Sequence, residues 1–154
     1  MWKVIFSKRA SDKREGRMIE LTTKTIRLLN LFENITNVRV IDCFEDGDTV
    51  YYIVEEGKAG LAIGKGGYLI RHVEKLVGKK VKVYEYSSDP AEFVKKLAPI
   101  VKDVKVLEEG GQNIIEIKID KKNKGMLIGR DGEKFKILKE ILKRVHDIDD
   151  VRLK

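Results

Sequence analysis

The chain has 154 residues, with 32 Lys and Arg against 25 Asp and Glu, so its formal charge is +7. Its single cysteine, Cys43, excludes a disulfide framework and any zinc cluster built on cysteines. No stretch reaches the roughly 18 uncharged apolar residues of a membrane span, so we expect a cytoplasmic protein with no membrane partner, no metal and no other cofactor.

The first 18 residues predict a basic arm ahead of the folded part. Apolar periodicity is weak after Phe6, which favours a flexible segment. The arm holds six basic side chains: Lys3, Lys8, Arg9, Lys13, Arg14 and Arg17.

Residues 19–86 predict a first domain of mixed helices and strands. Apolar residues recur at helical spacing in some segments and alternate in others, and Thr22 or Thr23 can cap the first helix. The expected elements are a helix over 21–33, a hairpin of 38–44 and 49–54, a short helix over 59–63, a helix ending at Gly78 and a strand over 81–86.

Residues 87–154 predict a second domain with the same order of elements. Asp89 can cap a helix that has Pro90 at its first position and ends near Pro99. Strands at 104–107 and 114–120, a glycine loop, a helix with one apolar stripe and a final strand at 151–154 follow. The chain is therefore expected to be an α+β protein in which α-β-β-α-α-β occurs twice, each time as a three-stranded sheet packed by helices.

A repeated glycine motif marks both domains. Gly60-Leu-Ala-Ile-Gly-Lys-Gly-Gly67 recurs 65 residues later as Gly125-Met-Leu-Ile-Gly-Arg-Asp-Gly132, and the strands before the two motifs align without a gap. A strand, a turn and a Gly-x-x-Gly loop that recur in one register indicate two copies of one building block.

The residues of this motif favour the binding of a phosphate group. Glycines permit a sharp turn and close approach of the backbone, and free N–H groups at a helix start suit an anion. Basic residues outnumber acidic ones seven to one in residues 57–82 and nine to three in residues 121–144. We therefore predict that both loops bind the backbone of a nucleic acid.

This arrangement resembles the K homology (KH) domain, whose Gly-x-x-Gly loop clamps a few nucleotides of a single strand. Only 22 residues follow Gly132, enough for one helix and one strand. That short ending favours type II topology, so we expect two tandem type II KH domains, at 19–86 and 87–154.

The segment Tyr86-Ser-Ser-Asp-Pro-Ala-Glu-Phe-Val-Lys-Lys-Leu-Ala-Pro99 is similar to the linker between the paired KH domains of the NusA transcription factors. The first glycine motif and Asp147-Ile-Asp-Asp-Val151 resemble the archaeal members. This resemblance implies a factor that binds single-stranded RNA and acts with RNA polymerase in transcription elongation, termination or antitermination. A KH-type ribonucleoprotein or ribosome-assembly component is the alternative.

Catalysis is not expected. Neither loop continues into the Gly-Lys-Ser/Thr ending of a nucleotide-binding P-loop, since Lys65 is followed by glycine. His72 and His146 have no neighbouring partners in the pattern for acid–base or metal chemistry. We therefore expect neither an enzyme nor a small-molecule substrate.

The candidate RNA-binding residues lie in and beside the two loops. Lys65 and Arg130 are assigned to phosphate, Arg71 to a phosphate or a base, and Tyr68 to a base or to packing. Asp131 places a negative charge where a phosphate approaches, so the second loop is expected to bind more weakly. Ile63 and Ile128 are expected to be mainly core, with an edge available to a base. The full set is Lys58, Gly64, Lys65, Gly66, Gly67, Tyr68, Arg71, Lys124, Gly129, Arg130, Asp131, Gly132 and Lys134.

Overall fold

The computed structural model describes the backbone of residues 2–6 and 18–154, and side chains from Thr22 onward. The chain divides into two compact units, with the division between Tyr86 and Ser87. Unit 1 contains β1 (Trp2–Phe6), β2 (Met18–Thr22), α1 (Thr23–Thr36), β3 (Val40–Asp46), β4 (Thr49–Val54), α2 (Ala59–Ile63), α3 (Tyr68–Val77) and β5 (Lys80–Glu85). Unit 2 contains α4 (Pro90–Leu97), β6 (Asp103–Glu109), β7 (Gln112–Lys118), α5 (Lys124–Ile128), α6 (Glu133–His146) and β8 (Asp150–Leu153).

The first strands differ from the predicted arm. β1 pairs with β2 in an antiparallel ladder that runs from Trp2 opposite Thr22 to Phe6 opposite Met18. The prediction of a flexible arm is therefore wrong at residues 2–6 and at Met18. Strand pairing satisfies the backbone groups there, and local periodicity did not reveal it. Residues 7–17, which hold the other five basic side chains of the arm, lie outside the described part of the chain.

Unit 1 is built on the sheet β3-β4-β5. β3 and β4 form an antiparallel hairpin, whereas β4 and β5 run parallel, with Val50 opposite Val81. Parallel strands need a crossover connection, and α2 and α3 supply it. Helix α1 begins two residues later than predicted, because Thr22 caps it by accepting a hydrogen bond from the N–H of Thr25 at 3.0 Å.

The core of unit 1 lies between this sheet and its helices. Phe32 of α1 stacks on Tyr52 of β4, with ring centroids 4.1 Å apart, and both side chains are fully buried. The Tyr52 hydroxyl donates to the Leu28 carbonyl at 2.8 Å. Burial raises the pKa of this phenol, and the charges of Cys43 and Glu45 raise it further, so the hydroxyl remains a donor at high pH.

Unit 2 repeats the design on the sheet β6-β7-β8, in which β6 and β7 are antiparallel and β7 and β8 are parallel. Asp89 caps α4 as predicted, accepting from the N–H of Ala91 at 3.0 Å, with Pro90 in the first turn. Helix α6 has 14 residues and α3 has 10. The longer helix buries its predicted apolar stripe, which includes Leu138, Ile141, Leu142 and Val145.

The predicted fold class is confirmed. Each unit follows α-β-β-α-α-β from α1 and α4 onward, and each has one three-stranded mixed sheet. Within the described residues, none of the helices combines the length and the apolar character that crossing a bilayer requires.

The hydrogen bond of Tyr52 gives a test of this core. We expect Tyr52→Phe to lower the free energy of unfolding by about 1 kcal/mol, because it removes a buried hydrogen bond while keeping the stacked ring. Urea unfolding followed by circular dichroism measures the change. Tyr84→Phe is the control, because the Tyr84 hydroxyl forms no hydrogen bond with any described residue, and burial is the only cause that raises its pKa. Equal losses for both variants would contradict the expectation.

Candidate nucleic-acid interface

The two Gly-x-x-Gly segments form matching turns between helices. Loop 1 (Gly64–Gly67) follows α2 and precedes α3, and loop 2 (Gly129–Gly132) lies in the same way between α5 and α6. Their backbone angles correspond at the first, third and fourth positions. The repeat in sequence is therefore a repeat in local structure.

The first glycine of each loop adopts a conformation that is essentially restricted to glycine. Gly64 has φ 79° and ψ 167°, and Gly129 has φ 77° and ψ −179°. Neighbours also crowd the site: a Cβ on Gly64 would lie 2.8 Å from Cγ of Leu69, and one on Gly129 would lie 2.7 Å from Cγ of Lys134. Backbone angles and packing both require glycine here.

The third position is less restricted. Gly66 has φ 64° and ψ 15°, and Asp131 has φ 54° and ψ 24°, so both are left-handed. Aspartate is one of the few residues with a side chain that adopts this region readily. A Cβ on Gly66 would meet nothing within 4 Å. The third position can therefore change its charge without changing the turn.

Each loop leaves two backbone donors unused. The fourth glycine donates to the first, from Gly67 N–H to Gly64 O at 3.0 Å and from Gly132 N–H to Gly129 O at 3.3 Å. The N–H groups at the second and third positions have no protein acceptor among the described residues. Two adjacent free donors at a loop tip can bind one phosphate oxygen each.

Positive side chains surround these donors. Lys65 and Arg130 are exposed at the two tips, and neither has an ion-pair partner in the described part of the chain. Lys58 is exposed just before α2, and Lys124 is the half-buried first residue of α5. The predicted charges are therefore present on both sides of the turns.

Two predicted residues have contacts that the sequence did not define. Arg71 donates from Nη1 to the Gly66 carbonyl at 2.6 Å. The aliphatic stem of Lys134 lies against Gly129, so it covers the start of loop 2 as well as carrying charge.

An apolar strip lies beside loop 1. Leu61 is 61% exposed, Ile63 is 39% exposed and Tyr68 is 55% exposed, and the Tyr68 ring approaches Gly64. The prediction that Ile63 is mainly core is wrong, because the short helix α2 turns Ala62 inward instead. Ile128 is half-buried. Leu61 was missed, although the sequence repeat aligns it with Met126, which is also 61% exposed.

The two sites differ in their surroundings. The repeat places Glu133 where unit 1 has Tyr68, and Lys136 where it has Arg71. Loop 1 thus combines an uncharged third position with an exposed aromatic ring, whereas loop 2 combines Asp131 with a charged helix start. Among the described residues, no group of three or more His, Cys, Asp and Glu side chains is arranged to hold a metal ion.

The fold and the loops define a class: this is a KH-domain protein, and the family model described as KH domain matches residues 29–110. The chain is 37% identical over 137 residues to the probable transcription termination protein NusA of Methanocaldococcus jannaschii, covering 88% of this chain and 75% of that protein. The chain therefore belongs to the NusA family, as its sequence resemblance predicted.

Two further comparisons agree with this assignment. The protein of the same name from Halococcus morrhuae is 32% identical over 136 residues, covering 88% of this chain and 98% of that protein. The crystal structure of APE1850 superposes with a TM-score of 0.77 and 33% identity, covering 87% of this chain and all of the other.

The first and third loop positions should respond differently to alanine. We expect Gly64→Ala to destabilise the protein by about 2 kcal/mol or more, because it combines a glycine-only conformation with a close contact to Leu69. Gly66→Ala should cost about 1 kcal/mol, because only its positive φ is unfavourable. Thermal and urea unfolding of both variants test the order. A Gly66→Ala loss as large as that of Gly64→Ala would show that this account of the turn is wrong.

Proposed function

We propose that this protein binds single-stranded RNA through loops 1 and 2 and acts as a transcription factor in elongation or termination. The observation that carries the proposal is the pair of equivalent turns, each with two free N–H groups beside an exposed cation. The name of the two relatives, probable transcription termination protein NusA, supports the transcriptional role.

Phosphate is the ligand that loop 1 suits best. Its free backbone donors are the N–H groups of Lys65 and Gly66, and neither Gly66 nor Gly67 has a side chain that would keep an anion away from them. Lys65 adds a full positive charge at the tip, and Arg71 adds a second beside it. A phosphodiester group brings two free oxygens, which matches two adjacent donors.

The apolar strip favours a single strand over a duplex. Leu61, Ile63 and Tyr68 present apolar and aromatic surface next to the phosphate-binding turn. Unpaired bases can lie on such a surface while their backbone is bound at the loop, whereas bases in a duplex are covered by their partners. The strip therefore supports a single-stranded ligand.

Unit 2 has a different balance of charges. Asp131 lowers the potential at loop 2, but α6 continues the basic surface with Lys136, Lys139 and Lys143. These side chains line a groove of about 400 Å³ that starts at Gly132, together with the carboxylates of Glu140, Asp149 and Asp150. Nζ of Lys139 lies 3.7 Å from Oδ1 of Asp150, whereas Lys136 and Lys143 have no ion-pair partner in the described residues. Three lysines and three carboxylates balance within the groove, so compensation for Asp131 has to come from the wider set of nine basic residues in 121–144.

Binding is proposed here without catalysis. The two loops offer donors and cations, and neither places a nucleophile or an acid–base pair next to them. Direct contact with RNA polymerase is also proposed, because a transcription termination protein, as the relatives are named, acts on the transcribing enzyme.

A single charge in loop 1 tests the RNA site. We expect Gly66→Asp to weaken binding of a single-stranded RNA at least ten-fold, because the carboxylate faces the incoming phosphate. Asp131 already holds the same backbone conformation, so the turn should survive. Gly66→Asn is the matched control, since it has the same shape without the charge and should bind within about three-fold of wild type. Fluorescence anisotropy at several salt concentrations measures both affinities.

The reciprocal change uses the same measurement. Asp131→Asn should strengthen RNA binding, and log K should fall steeply with log salt for every variant that binds. Equal affinities for Gly66→Asp, Gly66→Asn and wild type would remove loop 1 from the RNA site.

The transcriptional role needs a separate experiment. In a reconstituted transcription reaction with the polymerase of the same organism, wild-type protein should change the yield of terminated or paused transcripts. Gly66→Asp should leave that yield close to the level without added protein. Co-sedimentation with ribosomal subunits, together with no effect on transcription, would instead favour the ribonucleoprotein alternative.

A further inference from the structure

Arg71 makes an unusual contact with loop 1. Its side chain is exposed on the first turn of α3, yet Nη1 donates to the carbonyl of Gly66 at 2.6 Å. The same nitrogen lies 3.3 Å from the place where a Cβ on Gly67 would be. The guanidinium therefore bonds to the Gly66 carbonyl and lies against Gly67, whose missing side chain leaves room for it.

This contact completes the bonding of one peptide unit. The unit between Gly66 and Gly67 has its carbonyl bonded to Arg71 and its N–H bonded to the Gly64 carbonyl at 3.0 Å. A peptide plane held at both ends cannot rotate without breaking a hydrogen bond. The neighbouring free N–H groups of Lys65 and Gly66 are thereby held in fixed positions.

Loop 1 needs such a restraint more than loop 2 does. Three of its four residues are glycine, which has the largest conformational freedom to lose. In loop 2, Asp131 favours the left-handed conformation by its own chemistry. A flexible loop binds more weakly because it must be ordered on binding, and a loop ordered beforehand avoids that cost.

Loop 2 has the same turn without an equivalent of the hydrogen bond from Arg71 to Gly66. The repeat places Lys136 at the position of Arg71, and it makes no hydrogen bond to loop 2. The Asp131 carbonyl has no donor among the described residues, and the bond from Gly132 N–H to Gly129 O is longer, at 3.3 Å. Only one end of the corresponding peptide unit is therefore held.

We propose that Arg71 is a positioning residue that holds loop 1 in its phosphate-binding conformation through the Gly66 carbonyl. This inference rests on the proposed RNA binding for its functional consequence, but the restraint itself is a property of the free protein. An ammonium group is not equivalent, because only the planar guanidinium can lie flat on the glycine pair while it donates.

The test replaces Arg71 by Lys, which keeps the charge and removes the planar donor. In the free protein, we expect hydrogen exchange at the Gly67 amide, measured by NMR, to become at least five-fold faster. RNA affinity should fall about three- to ten-fold, while the dependence of log K on log salt stays the same because the charge is kept. A residue that acts only by charge would leave both the exchange rate and the affinity unchanged, and that result would overturn the proposal.

A transplant into loop 2 is the second arm. Asp131→Gly alone introduces flexibility, and Asp131→Gly with Lys136→Arg adds the restraint. The double variant should show slower exchange at Gly132 and tighter RNA binding than the single variant. Equal rates of hydrogen exchange at the Gly132 amide in the single and the double variant would overturn the proposal.

The outcomes separate this inference from the proposed function. If Arg71→Lys speeds hydrogen exchange at the Gly67 amide while wild-type protein binds no RNA, the restraint by Arg71 is supported and the proposed RNA binding is wrong. If Gly66→Asp abolishes binding while Arg71→Lys changes neither readout, RNA binding stands and the restraint fails. Melting curves of each variant confirm that it is folded.

Discussion

The conformation of the first glycine in each loop is the constraint on which the proposed binding surface depends. Parallel pairing of β4 with β5 requires a crossover, and α2 and α3 form it in a small space. Gly64 makes the sharp turn between these helices possible, because its backbone angles and its contact with Leu69 leave no room for a side chain. The free N–H groups, the cation at the tip and the start of α3 all take their positions from that turn.

The same turn can carry different charges because its positions differ in the side chains that they tolerate. The first position is closed to every side chain, whereas the third accepts either Gly66 or Asp131 in the same left-handed conformation. The charge at the tip of the loop can therefore vary while the backbone conformation stays the same. The two units consequently present similar backbones with unlike potentials, and the lysines of α6 belong to the unit whose loop carries the carboxylate.

The short helices before the loops place apolar side chains on the outside. A helix of five residues has one inward face, and in α2 that face is taken by Ala62, with Leu61 and Ile63 left exposed. In α5, Leu127 is buried and Met126 is exposed in the same pattern. Exposed apolar surface of this kind is costly in water, and the bases of the proposed RNA ligand would cover it.

The sequence by itself determined the order of elements from α1 onward, the repeat and the glycine turns, because these follow from local backbone preferences and from apolar spacing. Thr22 and Asp89 cap helices as expected for the same reason. Only the tertiary structure decided that Ile63 is exposed, that residues 2–6 pair with β2, and that Arg71 bonds to Gly66. Each of these depends on which groups are brought together from separate elements, and spacing along the chain does not contain that information.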